Sequence, residues 1–444
     1  MKNIKKLFSA LFMLTLIPLL SFAQEDDQVL KAEYGKFALT NAKIYTVTNG
    51  VIEKGTLLIN NGIIEAVGAN VRIPDDAKVI DVAGKEIYPG MIDGGTTLGL
   101  NEIGSIAEAQ DYREFGQLTP QMQALTAVNP NATAIPVTRV SGVTTVWTMP
   151  QGGVLPGTAA TINLFGYTPD QMFAGQKGMV MNFPSTGGGR RWRRLSEDEL
   201  KKRQERAMKE INDTWDKAEL YAKIENSNDV RNYPEIEALV PVVKGEMPLF
   251  IEANAAQDIQ SAIEWVKGRG YKNVVLTGVA EGWRVADEIA KSGIPVITGP
   301  VQALPTRDSD SYDAAYANPG IMSNAGVKVA LRTMGNENTR NLPFHAGFAA
   351  AYGMGKEEAL KAITINAAEI LGIGDQLGSI EVGKKANFFV ATGDPFETAT
   401  KITDLFIDGY KVPMTSRQIR LYDEFMNRTP GVDKTKPVID IKKK

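Results

Sequence analysis

Two residue types are absent or almost absent from this chain of 444 residues: it has no cysteine and one histidine, His345. The lack of cysteine excludes disulfide bonds, thiolate metal sites and cysteine nucleophiles. The single histidine excludes a metal site built from several imidazoles of one chain. Many enzyme classes are therefore excluded before any motif is considered.

The remaining composition is that of a large globular protein. Hydrophobic residues make up 43% of the chain and charged residues 23%, with 42 glycines and 22 prolines. These proportions suit one large domain or two ordinary ones, and they argue against a coiled coil, a collagen-like chain or a wholly disordered one. The net charge of −3 gives no reason to expect nucleic acid or an anionic membrane as the main partner.

Residues 1–23 are typical of an export signal. Three lysines precede an apolar run over residues 7–20, and the small residues Ser21 and Ala23 stand where a signal peptidase requires them. The alternative is a membrane anchor, but the run is short for a span of about 20 residues. We therefore expect an exported protein, periplasmic or extracellular. Its mature chain has a net charge of −6 because three lysines are lost, and contains no further stretch that would span a bilayer.

Two β-rich segments, residues 34–88 and 378–413, lie near the two ends of the chain. Their short apolar runs are separated by turn pairs such as Asn49-Gly50 and Asn61-Gly62, which accept positive φ angles and mark hairpins. We expect the two segments to form one small sheet domain. Residues 414–444 follow as a C-terminal extension with a lysine-rich, solvated end.

Residues 89–377 alternate short apolar runs with helical stretches, the pattern of a parallel sheet with crossover helices. Eight such runs predict eight strands, which matches a (β/α)8 barrel, an α/β fold. The runs are residues 87–94, 143–150, 160–166, 179–184, 248–253, 273–278, 295–300 and 328–333. A doubly wound sheet is the alternative, but no Gly-x-Gly-x-x-Gly follows a strand to support it.

The segment from about 185 to 232 is longer than a barrel helix requires. Ser196 and Glu199 have the spacing of a capping box, which predicts a helix that continues to about Ile224. We expect a helical insertion that lies over the mouth of the barrel. The Arg-rich stretch 187–194 at its start is interpreted either as a clamp for an anion or, more simply, as a solvated loop.

Three blocks of the sequence carry a family resemblance. They are residues 87–99 (IYPGMIDGGTTLG), 341–372 and 377–387. In this order they resemble the first barrel strand, the last barrel helices and the return into the β-sandwich of the amidohydrolase superfamily, in particular its imidazolonepropionase-like branch. The resemblance implies a TIM barrel with a small β-sandwich formed by both termini. It also implies a hydrolase that acts on carbon–nitrogen bonds other than peptide bonds.

The resemblance further implies where a metal would be bound. The family holds zinc or another divalent metal with His-x-His on strand 1, one His each on strands 5 and 6, and Asp on strand 8; two-metal members add a Lys on strand 4, which residues 178–182 lack. The matching positions here are Gly95, Thr97, Glu252, Thr277 and Met334. Only Glu252 is a good ligand for such ions, so we expect no metal and no cofactor.

The ends of the predicted strands supply the candidate site residues, because ligands of barrels bind at that face. Candidates for ligand binding are Gly95, Thr97, Glu102, Gln151, Glu252, Asn254, Thr277, Arg332 and Met334. Candidates for catalysis, none of them compelling, are Glu252, Glu281, Asp93 and His345. His345 titrates near neutrality and could serve as an acid or base, but the simpler interpretation is a helix residue with a satisfied hydrogen bond.

One side-chain contact can be predicted from strand alternation. Residues two apart face the same way, so if Met334 faces into the barrel, Arg332 also faces inward, one layer deeper. A buried charge must be paired. We expect Arg332 to pair with Glu252, with Thr277 or Asn254 completing the set; the alternative is that the two charges find separate partners or that Arg332 points outward.

Two functions of different class remain open from the sequence. The first is a non-catalytic pseudoenzyme that binds a small-molecule ligand or pairs with an active paralogue outside the cytoplasm. The second is an active hydrolase of amides, cyclic amides or peptides that uses a rebuilt site. The missing imidazoles favour the first, because hydrolysis in this family depends on a metal that activates water. The sequence leaves homo-oligomer formation open.

Overall fold

The computed structural model describes residues 31–185, 196–224 and 233–427. The predicted export signal, the Arg-rich stretch 187–194 and residues 428–444 lie outside the described residues. The strands are β1 (Phe37–Tyr45), β2 (Val51–Asn60), β3 (Ile63–Gly68), β4 (Lys78–Asp81), β5 (Glu86–Pro89), β6 (Met91–Thr96), β7 (Val143–Thr148), β8 (Gly157–Asn163), β9 (Phe173–Asn182), β10 (Leu249–Ala253), β11 (Val274–Gly278), β12 (Val296–Thr298), β13 (Val329–Leu331), β14 (Phe388–Ala391), β15 (Ile402–Ile407) and β16 (Tyr410–Val412).

Helices of varied length connect and cover these strands. They are α1 (Ala124–Ala127), α2 (Ala134–Arg139), α3 (Pro169–Met172), α4 (Glu197–Ile224), α5 (Pro234–Glu237), α6 (Val240–Val243), α7 (Ala256–Arg269), α8 (Ala286–Ser292), α9 (Ala314–Asn324), α10 (Leu342–Ala349), α11 (Lys356–Ala362), α12 (Ile365–Ile370) and α13 (Arg417–Asn427). Short 3-10 turns occur at Ala107–Ala109, Gly282–Arg284 and Thr339–Asn341, and a π-helical turn at Ala350–Met354. Within the described residues, no helix combines the length and apolarity needed to cross a membrane.

Strands β6 to β13 form one eight-stranded sheet in chain order. The first and last strands meet where the Met334 amide donates to the Gly95 carbonyl at 2.9 Å, so the sheet is a nearly closed barrel. The predicted fold class is thereby confirmed. One detail differs from the prediction: β8 runs antiparallel to both β7 and β9. The connection 149–156 is too short for the crossover that a parallel neighbour requires, so the unit is a hairpin rather than a βα repeat.

A second sheet joins the two ends of the chain. Its strand order is β16-β15-β14-β5-β1-β2-β3, with β4 paired to β1. The link between the terminal segments is the antiparallel pairing of β14 with β5. Asn61 and Gly62 both have positive φ, 47° and 87°, and form the tight β2–β3 turn that the sequence predicts.

Helix α4 confirms the predicted capping box but not the predicted lid. The Ser196 amide donates to Glu199 Oε2 at 2.9 Å, and the Glu199 amide donates to Ser196 Oγ at 3.3 Å. Farther along, Trp215 packs against Trp265, and Arg269 Nη1 donates to the Glu219 carboxylate at 2.8 Å. These partners lie at the C-terminal end of α7. The apolar stripe of the described helix is therefore buried in the outer layer, while residues 186–195 and 225–232 of the predicted insertion lie outside the described residues.

The tightness of packing inside the barrel can be tested by a substitution at Gly178. The Trp147 and Phe250 rings lie 4.5 Å apart, and a Cβ at Gly178 on β9 would lie 2.4 Å from Phe250 Cε2. We expect Gly178→Ala to lower the free energy of unfolding by about 1–3 kcal/mol, because it overpacks a rigid aromatic pair. The matched control is Gly268→Ala in α7, where a Cβ meets nothing within 4 Å. This control should stabilise by about 0.5–1 kcal/mol through helix propensity. Equal effects of the two variants in urea unfolding would contradict the prediction.

Candidate functional site

The carboxyl ends of the barrel strands carry a buried ion pair. Arg332 directly follows β13 and is 2% exposed, and Glu252 lies on β10. Arg332 Nη1 donates to Glu252 Oε2 and Nη2 donates to Oε1, both at 2.7 Å. This bidentate geometry is the strongest arrangement available to a guanidinium and a carboxylate. The pairing predicted from strand alternation is confirmed.

Neutral side chains complete the hydrogen bonds of this ion pair. Thr277 Oγ1 donates to Glu252 Oε2 at 2.8 Å, and Asn254 Nδ2 donates to Oε1 at 2.9 Å. Arg332 Nε donates to the Gly299 carbonyl at 3.3 Å. Burial alone would raise the pKa of Glu252, but the Arg332 charge and these donors outweigh it and lower the pKa to about 2. Glu252 is therefore a carboxylate throughout the neutral range.

The residues at the family's ligand positions do not fit a divalent metal. Both oxygens of Glu252 are occupied by donors, and Gly95 has no side chain. A Cβ built on Gly95 would lie 3.0 Å from Arg332 Cδ and 3.1 Å from Met149 Sδ, so this space is filled by protein. Within residues 31–185, 196–224 and 233–427, no three His, Cys, Asp or Glu side chains cluster as metal ligands would.

A cavity of about 240 Å³ opens beside the ion pair. Four of the nine predicted ligand-binding residues line it: Glu252, Asn254, Arg332 and Met334. The opposite wall comes from Trp283 and from the loop after β12, residues 299–306. Sequence reasoning missed this wall, although its position after two predicted strand ends was a usable signal.

The other five predicted ligand-binding residues do not line this cavity. Gly95, Thr97 and Thr277 are buried. The Arg332 side chain packs against Gly95, and Thr277 donates to Glu252. Glu102 accepts a hydrogen bond from Asn129 at 2.9 Å in the loop after β6. The Gln151 amide donates to the Tyr112 carbonyl at 2.7 Å, which makes its loop a tight connection. Of the four residues predicted to line a pocket at the strand ends, this cavity includes Met334 but not Gly95, Thr97 or Thr277.

Asp93 is fully buried on β6 and lies outside the cavity. Its carboxyl accepts hydrogen bonds from Thr333 Oγ1 at 2.5 Å and from the Gly95 amide at 2.9 Å. Burial raises the pKa of Asp93 to about 7, although these donors act in the opposite direction. Through its hydrogen bonds to Thr333, the Asp93 carboxyl joins β6 to the segment after β13 and so helps to close the barrel.

Glu281 is 2% exposed and accepts hydrogen bonds from the Arg307 guanidinium and from the Ala256 amide at the start of α7. Burial would raise the pKa of Glu281, but the Arg307 hydrogen bonds outweigh it and lower the pKa. Thr306 Oγ1 donates to the same carboxylate at 3.1 Å. Glu281 thus anchors the loop that forms the cavity wall.

His345 anchors the other side of the same loop. It is 2% exposed, and its Nδ1 accepts a hydrogen bond from the Val301 amide at 3.1 Å. Burial lowers the pKa of His345 to about 4, so the imidazole is neutral at physiological pH. This geometry matches the simpler interpretation of His345 as a satisfied helix residue.

Comparisons with known proteins agree with this architecture. Residues 262–412 match the family described as "Amidohydrolase family", and residues 36–87 match "NagA composite domain". An imidazolonepropionase from Syntrophobacter fumaroxidans is 35% identical over 109 residues, which is 24% of each chain. One from Brevibacillus brevis is 24% identical over 398 residues, 78% of this chain and 86% of that one. The S. fumaroxidans match thus spans about a quarter of the relative's length.

Solved structures extend the comparison to nearly the whole fold. An amidohydrolase from Thermotoga maritima MSB8 has a TM-score of 0.73 and 27% identity, covering 86% of this chain and 100% of that one. Molinate hydrolase has a TM-score of 0.55 at 17% identity, covering 86% of this chain and 95% of that one, and shows the fold alone. Barrel, composite sheet and family matches agree, and together they support the amidohydrolase superfamily.

Proposed function

We propose that this protein is an exported, non-catalytic member of the superfamily that binds a small-molecule ligand at the mouth of its barrel. One observation carries the proposal: both Glu252 oxygens are engaged by Arg332, at the position where relatives would offer a metal ligand. A metal bound there would have to displace Arg332 from a buried pair. That displacement strands a guanidinium in the barrel, which is a large cost.

The cavity beside the pair favours a compact ligand with an apolar surface. Trp283, Leu304 and Met334 contribute apolar or aromatic walls, while Asn254 brings an amide. Since the paired charges of Arg332 and Glu252 compensate each other, the ligand need not carry a net charge. A volume of about 240 Å³ lies below the range of about 300–1,000 Å³ usual for drug-sized ligands, so the ligand is small.

The rebuilt-hydrolase alternative lacks a supporting arrangement. Glu281 and His345 hold the loop after β12, and Asp93 is sealed in the barrel wall. None of these three groups lines the mouth cavity, so none is placed to reach a substrate bound there. Glu252 does line it, but its carboxylate is engaged by Arg332, Thr277 and Asn254.

Metal analysis of the purified protein tests the proposal. We expect zinc, iron and manganese far below one ion per chain after dialysis against each ion, and no hydrolysis of amides, cyclic amides or dipeptides. The control is Arg332→Met, which frees the Glu252 carboxylate and should bind zinc no better, because one carboxylate does not make a site. Stoichiometric metal in the native protein, or metal-dependent hydrolysis, would overturn the proposal.

Export and partnership are part of the same proposal. If the signal is cleaved, the mature chain begins at Gln24, which N-terminal sequencing of the secreted or periplasmic protein would establish.

A paralogue with intact metal-binding histidines would be the natural catalytic partner. Co-purification of such a paralogue from the native host would support this partnership, and isolation of the chain alone would argue against it.

A further inference from the structure

A second cavity, of about 440 Å³, lies between the composite sheet and helix α11. The side chains that matter for its chemistry are Tyr45, Glu86, Tyr88, Leu360, Asp394 and Phe396. It shares no lining residue with the mouth cavity. Glu86 and Tyr88 precede β6 in sequence, so this cavity is near the N-terminal end of that strand rather than the mouth. Its volume is within the range usual for small-molecule sites.

A column of aromatic rings fixes the polar wall of this cavity. Tyr45 and Tyr88 stack with centroids 4.4 Å apart, and Phe389 stacks on the far side of Tyr88 at 5.5 Å. Tyr88 is 3% exposed, and its hydroxyl donates to Glu86 Oε2. Because the ring cannot move within the column, the hydroxyl holds the Glu86 carboxylate in one orientation against the cavity.

The charges around the cavity are unequal. Three carboxylates line it, those of Glu86, Glu357 and Asp394, against one lining ammonium group, that of Lys356. A second ammonium group, that of Lys43, lies 5.3 Å from the centre of the Tyr45 ring and is paired with Glu53 at 3.4 Å. Asp394 is paired with Lys356 at 2.7 Å, and Glu357 with Lys361 at 2.9 Å. Among the described residues, no cationic group lies within 4 Å of Glu86 as an ion pair. Its one hydrogen-bond donor there is a neutral phenol.

We propose that this cavity binds an organic cation, with an ammonium or guanidinium group at Glu86 and a compact apolar body against Leu360 and Phe396. A half-buried carboxylate without a counter-charge is stabilised by a cationic ligand. The apolar walls favour a hydrocarbon or aromatic body. An anion fits poorly, since the Lys356 ammonium is already held by Asp394.

Calorimetric titration with 2-phenylethylammonium tests this inference. We expect saturable binding by the full mature chain, at least tenfold tighter than binding of neutral 2-phenylethanol or anionic 3-phenylpropionate. Glu86→Gln keeps the shape of the side chain but removes its charge, and should weaken binding of the cation at least tenfold. Glu369→Gln is the matched control, because Glu369 belongs to an exposed ion pair with Lys328 elsewhere, and it should bind like the native protein.

A second variant keeps the test decisive if Glu86→Gln fails to fold. Val51 is 44% exposed at the rim of the same cavity, so Val51→Arg should fold and should weaken binding of the cation at least tenfold by placing a positive charge there. Equal affinity for the cation and its neutral analogue would overturn the inference. Native affinity in Glu86→Gln would also overturn it, because binding would then occur elsewhere, for example at the mouth. Neither outcome bears on the metal content of the barrel.

Discussion

Glu252→Ala should lower the free energy of unfolding by about 3–5 kcal/mol, because it leaves the Arg332 guanidinium buried without its partner. Arg332 is 2% exposed, and Glu252 supplies two of its hydrogen bonds at 2.7 Å. The same change removes the acceptor for Thr277 and Asn254. Unfolding in guanidinium chloride, followed by circular dichroism, measures the loss as a shift in the midpoint at unchanged slope.

Two comparisons separate pairing from simple loss of a side chain. Glu369→Ala removes one partner of an ion pair with Lys328 in which both side chains are about half exposed, and should cost no more than about 1 kcal/mol. The double variant Glu252→Leu with Arg332→Met should be much less destabilised than Glu252→Ala, because no charge is left buried. A loss near 1 kcal/mol for Glu252→Ala would mean that water solvates Arg332.

The ion pair was predictable because it follows from local rules. Strand alternation predicts that Arg332 faces inward if Met334 does. Both line the mouth cavity, although β13 ends at Leu331 and Met334 has a φ of 68°. The cost of an unpaired buried charge then demands a partner for Arg332. Glu252 was the acidic residue at a facing strand end. Hairpin turns such as Asn61-Gly62 were predictable for the same reason, since the positive φ angles depend on two residues alone.

The wall of the mouth cavity and the position of α4 were not predictable in this way. Trp283 reaches the cavity because the loop after β12 folds back towards it, and that loop is held by Glu281 and His345. These contacts join residues far apart in sequence, so no local pattern encodes them. The length of α4 suggested a lid, but Trp215 decides its position by packing on Trp265 and Tyr271.

Two buried titratable groups should make stability depend on pH in opposite directions. Asp93 has its pKa raised to about 7, so between about pH 4 and 7 the folded state retains a proton that the unfolded state has lost. Stability from Asp93 is therefore full at low pH and falls as the pH rises through 7. His345 has its pKa lowered to about 4, so between about pH 4 and 6.5 the unfolded state binds the extra proton. Stability from His345 is present above about 6.5 and is lost as the pH falls towards 4.

One pKa unit is worth about 1.4 kcal/mol, so the contribution is about 4 kcal/mol for Asp93 and about 3 kcal/mol for His345. Since the two oppose each other, they largely cancel in the native protein. Asp93→Asn leaves the histidine effect alone, so its stability should rise between pH 4.5 and 6.5. His345→Asn keeps an acceptor for the Val301 amide and leaves the aspartate effect alone, so its stability should fall between pH 4.5 and 7.5. The measurement is the urea midpoint of the native protein and both variants at each pH in this range. The folded-state Glu252 carboxylate, with its pKa of about 2, stays ionised throughout and does not change protonation in these curves. Parallel curves for the native protein and both variants would mean that neither group is shifted by burial.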